Sequence, residues 1–136
     1  MKIRSLLLAL LFCSLLPALR AQGVKIKNGT VWVDGQEFVN ITDETPTSFT
    51  LTSIESDSEL VYLKLIDPTP NVSNADFDDR YFNLRFPDFD KEAIIKDSRK
   101  LSVIKFLYTH RIIVDGHISK SSFKSFITQY GIETTD

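Results

Sequence analysis

Two tight-turn dipeptides near the start of the chain, Asn28-Gly29 and Asp34-Gly35, constrain its fold most strongly. Both dipeptides tolerate positive φ angles, which two-residue hairpin turns between antiparallel strands require. In residues 30–33 the two valines share one face, while Trp32 lies on the other. The dipeptides and the alternation together predict three short strands that follow one another as an antiparallel meander, the third at residues 36–42.

The same kind of pattern continues along the chain. Residues 49–54 alternate between apolar and polar side chains, residues 59–66 are apolar on both faces, and residues 80–86 alternate again. A strand with two apolar faces is typical of the centre of a sheet. Residues 91–95 fit either a short strand or the start of a helix. We therefore expect about six short strands.

The last third of the chain predicts two helices. The first begins after a cap at Asp97 or Ser98 and runs to about His110. One side of this helix is expected to bury four side chains: Leu101, Ile104, Leu107 and Tyr108.

The second predicted helix has a cap at Ser119 and apolar side chains at positions i, i+3, i+4 and i+7: Phe123, Phe126, Ile127 and Tyr130. Gly131 is expected to end it in a left-handed conformation, with Ile132 packing back onto the helix. The predicted fold class is therefore α+β. An antiparallel β-meander of about six short strands is followed by a C-terminal pair of α-helices packed on it.

The N-terminal residues have the composition of a secretory signal peptide. Lys2 and Arg4 precede an apolar run, residues 6–16, that is too short for a stable membrane span. Cleavage is expected after Ala21, with Ala18 as the alternative, so that residues 1–21 are the signal and residues 22–136 form a single domain. An uncleaved N-terminal anchor is the other interpretation.

Cysteine usage and charge exclude several classes of protein. Cys13 is the only cysteine, and Phe12 before it does not fit a lipoprotein signal. The exported domain then has no disulfide and must be held by an ordinary core. Removing the three basic residues of the signal leaves 13 basic and 18 acidic residues, a net charge of −5. This charge does not suit nucleic-acid binding, and no later apolar stretch is long enough to span a membrane.

Residues 114–126 resemble the second half of a calcium-binding loop, but the ligands do not fit. With Gly116 at loop position 6, Asp115 takes position 5, Ile113 position 3 and Arg111 position 1, while Ser122 takes position 12. An EF-hand needs oxygen ligands at positions 1, 3 and 5 and a glutamate at position 12. Asp115-Gly116 is therefore expected to be a turn between the helices.

Charge is spread unevenly between two neighbouring segments. Residues 67–92 carry a net charge of −4, and residues 96–111 carry +4. The acidic segment is expected to be a solvated loop near the first helix, although an irregular cation site stays open from Asp67, Asp76, Asp78, Asp79, Asp88 and Asp90. A basic helix face is the alternative docking surface for an anionic partner: Arg99, Lys100 and Lys105.

Few residues suggest catalysis. His110 and His117, with Asp115, are weak candidates for a metal site, because an open zinc site needs three protein ligands. No nucleophile elbow, phosphate-binding glycine loop or zinc-protease motif occurs in the sequence. We expect no cofactor and no enzymatic activity.

The outward face of the strands is the stronger candidate for binding. Five aromatic or cationic residues fall opposite the apolar set: Trp32, Tyr62, Lys64, Tyr81 and Arg85. Exposed together, they would suit a peptide, a glycan or an envelope protein. The alternative is that they are buried, because aromatic stripes usually belong to a core.

The segments "LRAQ", "KIKNGTVWVDG" and "VDGHISKSSFKSFITQYG" resemble small exported proteins of the Bacteroidota that have no assigned function. This resemblance implies a periplasmic or extracellular location in a Gram-negative cell and implies no activity. The resulting hypothesis is a non-enzymatic binding module of the cell envelope. The alternatives are an accessory structural envelope protein and a metal-dependent activity that uses His110 and His117.

Overall fold

The computed structural model describes residues 23–70 and 78–133. The expected signal peptide, residues 1–21, and Asp76 of the acidic loop lie outside the described residues. No helix in the described ranges is long and apolar enough to cross a membrane.

An eight-stranded antiparallel sheet is the largest element of the described residues. Its strands are β1 (Val24–Lys27), β2 (Thr30–Val33), β3 (Gln36–Thr42), β4 (Ser48–Thr52), β5 (Glu59–Ile66), β6 (Tyr81–Phe86), β7 (Lys91–Ile95) and β10 (Gly131–Ile132). They lie in the order β1-β2-β3-β4-β5-β6-β7-β10, so each of the first six pairs with the next along the chain and β7 pairs with β10. The predicted α+β fold with an antiparallel meander is confirmed, although the sheet has more than six strands.

The two expected tight turns join the first three strands. Asn28 and Gly29 have φ angles of 53° and 77°, and Asp34 and Gly35 have 52° and 79°. Positive φ at both central residues defines a type I′ turn, whose twist matches that of the flanking strands. The ambiguous segment, residues 91–95, is strand β7, because it pairs with β6 on one side and with β10 on the other.

Two helices and a small hairpin follow β7. Helix α1 spans Lys100–Thr109, the hairpin consists of β8 (Ile113–Val114) and β9 (His117–Ile118), and helix α2 spans Lys120–Tyr130. Asp115 and Gly116 form the two-residue turn of this hairpin, with φ angles of 52° and 76°. The expected turn is confirmed, but the strands that flank it were not predicted.

Both helices contribute to one apolar core on one face of the sheet. The sheet supplies fully buried Leu51, Leu63, Leu84 and Phe86, and the helices supply side chains that include Leu107. Phe86 lies edge-on to two rings of α2, with centroids 4.9 Å from Phe123 and 5.8 Å from Phe126. Helix α1 contacts β1, whereas α2 contacts β7, so the pair covers both ends of the sheet.

The details of α1 differ from the prediction. Leu101 is 45% exposed and Tyr108 is 38% exposed, while Val103 is buried beside Ile104 and Leu107. The helix begins one residue later than expected, with Arg99 at the N-cap and no side-chain cap hydrogen bond. Asp97 instead accepts hydrogen bonds from the backbone N–H and the side chain of Arg99.

The end of α2 also differs. Gly131 is extended, with φ −66° and ψ 149°, rather than left-handed. The chain therefore continues straight into β10, where Gly131 and Ile132 pair with Ala93 and Glu92 of β7. Ile132 is 36% exposed at the sheet edge and does not pack back onto the helix as predicted. Ser119 is the N-cap residue of α2, but its hydroxyl makes no capping bond.

Candidate functional site

The outer face of the sheet, opposite the helices, has a tyrosine–arginine pair near its centre. Tyr62 of β5 and Arg85 of β6 are direct cross-strand partners. The guanidinium carbon of Arg85 lies 5.5 Å from the centroid of the Tyr62 ring. At this distance a cation is attracted to the ring face, so the two side chains hold one another in place.

Two further predicted residues lie on the same face. Lys64 adjoins the pair, and Tyr81 lies four residues from Arg85 along β6, roughly 13 Å at about 3.3 Å per residue. Lys64 follows Tyr62 on the same face of β5, and Tyr81 precedes Arg85 on the same face of β6, because side chains alternate along a strand. Lys64 and Arg85 are exposed, while Tyr62 and Tyr81 are half-buried. These four residues, Tyr62, Lys64, Tyr81 and Arg85, are called the outer-face cluster below.

Trp32 lies apart from the outer-face cluster. It is half-buried on β2, where its cross-strand partners are Lys25 of β1 and Glu37 of β3. Three strand spacings separate β2 from β5, which amounts to roughly 14 Å at about 4.8 Å per spacing. The sheet thus places Tyr62, Lys64 and Arg85 side by side, Tyr81 next to Lys64 at the end of the same two strands, and Trp32 elsewhere on the same face.

Two polar atoms beneath this face have no hydrogen-bond partner within the described part of the chain. They are Thr52 Oγ1 on β4 and Asn83 Oδ1 on β6, and both atoms are buried. Asn83 lies between Tyr81 and Arg85 along the strand and is the cross-strand partner of Lys64.

Two of the three candidate residues of the basic helix face are paired within the chain. Arg99 forms a salt bridge with Asp97, its Nε lying 3.2 Å from the carboxylate. Lys100 forms one with Glu44, which lies in the connection between β3 and β4, and its Nζ lies 5.0 Å from the Phe49 ring centroid. Lys105 is exposed and is in none of the salt bridges between described residues.

The acidic segment reaches the start of α1 at one point. Asp78 accepts a hydrogen bond of 2.5 Å from the Ser98 hydroxyl and pairs with Arg80, whose Nε lies 2.9 Å away. The Arg80 side chain, more than any other group, holds the pKa of Asp78 well below its usual range. Asp78 thus contacts Ser98, which precedes the helix, whereas Lys100 in the helix pairs with Glu44.

The candidate metal ligands do not form a cluster. His110 follows α1 and stacks on Phe106 with ring centroids 4.0 Å apart, while Asp115 and His117 lie exposed in the β8–β9 hairpin. Within residues 23–70 and 78–133, no group of three or more histidine, cysteine, aspartate or glutamate side chains could hold a metal ion. This finding includes the described members of the acidic loop: Asp67, Asp78, Asp79, Asp88 and Asp90.

A groove that was not predicted from the sequence opens at one end of the sheet. It has a volume of about 760 Å³ and lies between the β2–β3 hairpin, the turn after β4, the end of α1 and the β8–β9 hairpin. Buried Val33, Phe38 and Ile113 line it from within, together with Ser53. The cleft is called the end groove below. The two hairpins, the turn after β4 and the end of α1 that bound it are called the end-groove segments.

A β-bulge places one of the aromatic side chains in the end groove. Val31 pairs with Val39 and Trp32 pairs with Glu37, so Phe38 is an extra residue on β3. Phe38 is buried next to Val39, and its ring meets Tyr108 of α1 edge-on with centroids 5.3 Å apart. Bulges re-aim side chains in this way and are common beside binding sites.

The β8–β9 hairpin closes the opposite wall of the end groove. Its turn residue Gly116 lies so close to β4 that a Cβ there would be 2.8 Å from Ser53 Oγ. Arg111, which precedes this hairpin, has a φ of 57°, an uncommon conformation for a residue other than glycine. The reversal at Arg111 directs the chain from α1 back along the groove.

Comparison with known proteins identifies no relative. The sequence matches no protein-family model, and neither curated proteins nor solved structures gave a match.

Proposed function

We propose that the chain is an exported, non-enzymatic binding module of the cell envelope that uses the outer face of its sheet. The observation that supports this proposal most directly is the outer-face cluster. Both helices pack against the opposite face, so this aromatic and cationic group is not covered by either of them. Tyrosine and arginine are among the three residue types most enriched at protein-binding hot spots.

The charges of the outer-face cluster favour a partner with a carboxylate beside an apolar group. Lys64 and Arg85 are exposed, and neither forms a salt bridge with another described residue. Arg85 presents a planar donor fork, which suits a carboxylate, and Tyr62 supplies the apolar surface beside it. An envelope protein or peptide provides both groups, and an acidic glycan provides the first.

Export is supported by the N-terminal sequence, in which a basic start, a short apolar run and small residues follow one another. The proposed location is the periplasm or the outside of the cell. Fractionation of cells that express the complete chain tests this part, and recovery of the protein in the cytoplasm at its full mass would contradict it.

The binding surface is tested by cross-linking the complete chain in its native envelope and comparing three proteins. A partner captured by the wild type is expected to be lost with Arg85→Ala, because truncation of a central arginine typically weakens binding by tenfold or more. Lys91→Ala is the matched control, since Lys91 is an exposed cation whose cross-strand partner Phe86 lies on the core face.

The outcomes separate the hypotheses. Loss with Arg85→Ala and retention with Lys91→Ala, at unchanged melting temperature, supports the outer-face cluster. Equal capture by all three proteins would contradict this surface as the binding site. Absence of any captured partner would favour an accessory structural role. Trp32→Ala is a separate test, because Trp32 is about three strand spacings from the cluster.

A further inference from the structure

The end groove is a second site, independent of the outer-face cluster, and its size fits a bound ligand. Its volume of about 760 Å³ lies within the range of about 300–1,000 Å³ that is usual for ligand sites. The groove is bounded by four separate segments, so a ligand that fills it must be longer than a single side chain.

The interior of the end groove combines apolar surface with one free hydroxyl. Val33, Phe38 and Ile113 are each at most 9% exposed. Ser53 is 1% exposed, lines the groove, and makes no side-chain hydrogen bond with another described residue. A nearly buried hydroxyl without a partner among the described residues provides one donor and acceptor for a bound polar group.

The rim of the end groove is acidic. Glu37 on β3, Glu55 after β4 and Asp115 in the β8–β9 turn are exposed, and Arg111 is the cation that also lines the groove. None of the three carboxylates forms a hydrogen bond or a salt bridge through its side chain with any described residue. Because three carboxylates and one guanidinium line the rim, it has a net negative charge, which favours the binding of a cationic group.

An aromatic surface lies beside the acidic rim. Tyr108 is 38% exposed, and its ring is held by edge-on contact with Phe38. The faces of tyrosine rings attract ammonium and guanidinium groups as well as apolar side chains. Charge and ring chemistry therefore point to the same ligand.

We propose that the end groove binds a peptide segment in which a lysine or arginine side chain lies next to an apolar residue. The cation lies at the acidic rim, the apolar side chain lies against Phe38 and Tyr108, and a backbone polar group reaches the Ser53 hydroxyl. A simple amine carries the same cation but makes neither the apolar contact with Phe38 and Tyr108 nor the hydrogen bond to Ser53, so it binds more weakly than the peptide.

The probes are three small molecules titrated into the protein purified from cells that express the complete 136-residue chain. The first is the blocked tripeptide acetyl-Leu-Lys-Leu-amide, the second is its glutamate counterpart acetyl-Leu-Glu-Leu-amide, and the third is butylamine. Calorimetry gives the dissociation constants, and amide shifts in ¹⁵N-labelled protein locate the site. The lysine peptide is expected to bind most tightly and to shift Ser53, Glu55 and Asp115.

Charge variants test the role of the rim. Glu37→Gln, Glu55→Gln and Asp115→Asn are each expected to weaken lysine-peptide binding about two- to fivefold, and the triple variant at least about tenfold, because exposed charge pairs contribute modestly and nearly additively. Asparagine tolerates the positive φ of residue 115. Asp43→Asn is the matched control, since Asp43 also has positive φ and lies outside the groove lining.

Four results of the peptide titrations would overturn the proposal. They are no binding of the lysine peptide, equal binding of the glutamate peptide, binding of butylamine as tight as that of the peptide, and amide shifts confined to residues outside the end-groove segments. An unchanged dissociation constant in the folded triple variant would also overturn it. Arg85→Ala is expected to leave this binding intact, which keeps the test separate from that of the outer-face cluster.

Discussion

Gly131→Ala tests the junction between α2 and β10, where the structure leaves no space for a side chain. A Cβ at this position would lie 2.4 Å from the carbonyl oxygen of Ile127 and 2.9 Å from its Cγ2. The backbone of Gly131 is extended, at φ −66° and ψ 149°, a conformation that alanine adopts freely. The expected effect is therefore steric and owes nothing to backbone strain at residue 131.

The size of the effect follows from the geometry. Ordinary contact begins at 3.4 Å, so the Ile127 oxygen and the new Cβ must separate by 3.4 − 2.4 = 1.0 Å. That shift disrupts the hydrogen bond from the Gly131 N–H to the Ile127 carbonyl, which contributes about 1 kcal/mol. Adding about 1–3 kcal/mol for forced repacking gives a total destabilisation of about 2–4 kcal/mol.

Thermal and urea unfolding measure this loss. At roughly 4 °C per kcal/mol for a domain of about 100 residues, the melting temperature of Gly131→Ala should fall by about 8–16 °C. Two controls separate the causes. Gly23→Ala should change little, because no atom lies within 4 Å of its Cβ position, and Gly35→Ala should cost about 1–2 kcal/mol from its φ of 79° alone.

A local measurement shows where the strain is released. Hydrogen exchange should become faster for amides of the β7–β10 pairing, at Ala93 and Ile132, before the rest of the sheet is affected. A Gly131→Ala protein within about 0.5 kcal/mol of the wild type would refute the steric argument, because it would equal an ordinary surface substitution.

Two further predictions concern the β8–β9 turn and the acid stability of the protein. Gly116→Ala should cost about 0.5–1.5 kcal/mol more than Gly35→Ala, because the φ angles match but the new Cβ lies 2.8 Å from Ser53 Oγ and forces that hydroxyl off its rotamer. In a double-mutant cycle, Ser53→Ala should remove this excess. If Gly116→Ala destabilises the wild type and the Ser53→Ala protein equally, the contact with the Ser53 hydroxyl is contradicted. Hydrogen bonding by Arg80 lowers the folded-state pKa of Asp78, so the stabilisation is present above the unfolded pKa of about 4 and is lost as pH falls through the folded value. In Asp78→Asn the urea midpoint should therefore vary less with pH below about pH 4 than it does in the wild type. The same pH dependence in both proteins would show that the pairing contributes nothing to stability.

Local signals allowed much of the sheet to be predicted. A two-residue turn with positive φ at both positions is specified by its own dipeptide, as at Asn28-Gly29, and needs no distant contact. Strand β5, Glu59–Ile66, has the bounds predicted from its apolar side chains on both faces, a pattern that needs no knowledge of its neighbouring strands. The strand at residues 91–95 was ambiguous because its identity depends on pairing with β6 and β10.

Helix α1 shows why a local pattern can give the wrong face. Leu101 and Val103 each extend an apolar stripe that contains Ile104 and Leu107, so helical periodicity fits either. The position of the helix over the sheet decides between them, and it buries Val103 while leaving Leu101 exposed. Gly131 is the same kind of case, because β10 pairing with β7 requires an extended backbone where a left-handed stop was expected.

The two candidate sites differ in how well the sequence predicts which of their residues lie close together. Tyr62, Lys64 and Arg85 fall together because alternation puts them on one face and the meander makes β5 and β6 neighbours. The end groove depends instead on segments that packing alone brings together. One local signal was present: Phe38 and Val39 are consecutive apolar residues in a strand that otherwise alternates, which is the pattern a bulge produces. That bulge directs Phe38 toward Tyr108. The consecutive apolar pair is therefore a sequence signal for one wall of the groove, although it does not indicate the other walls.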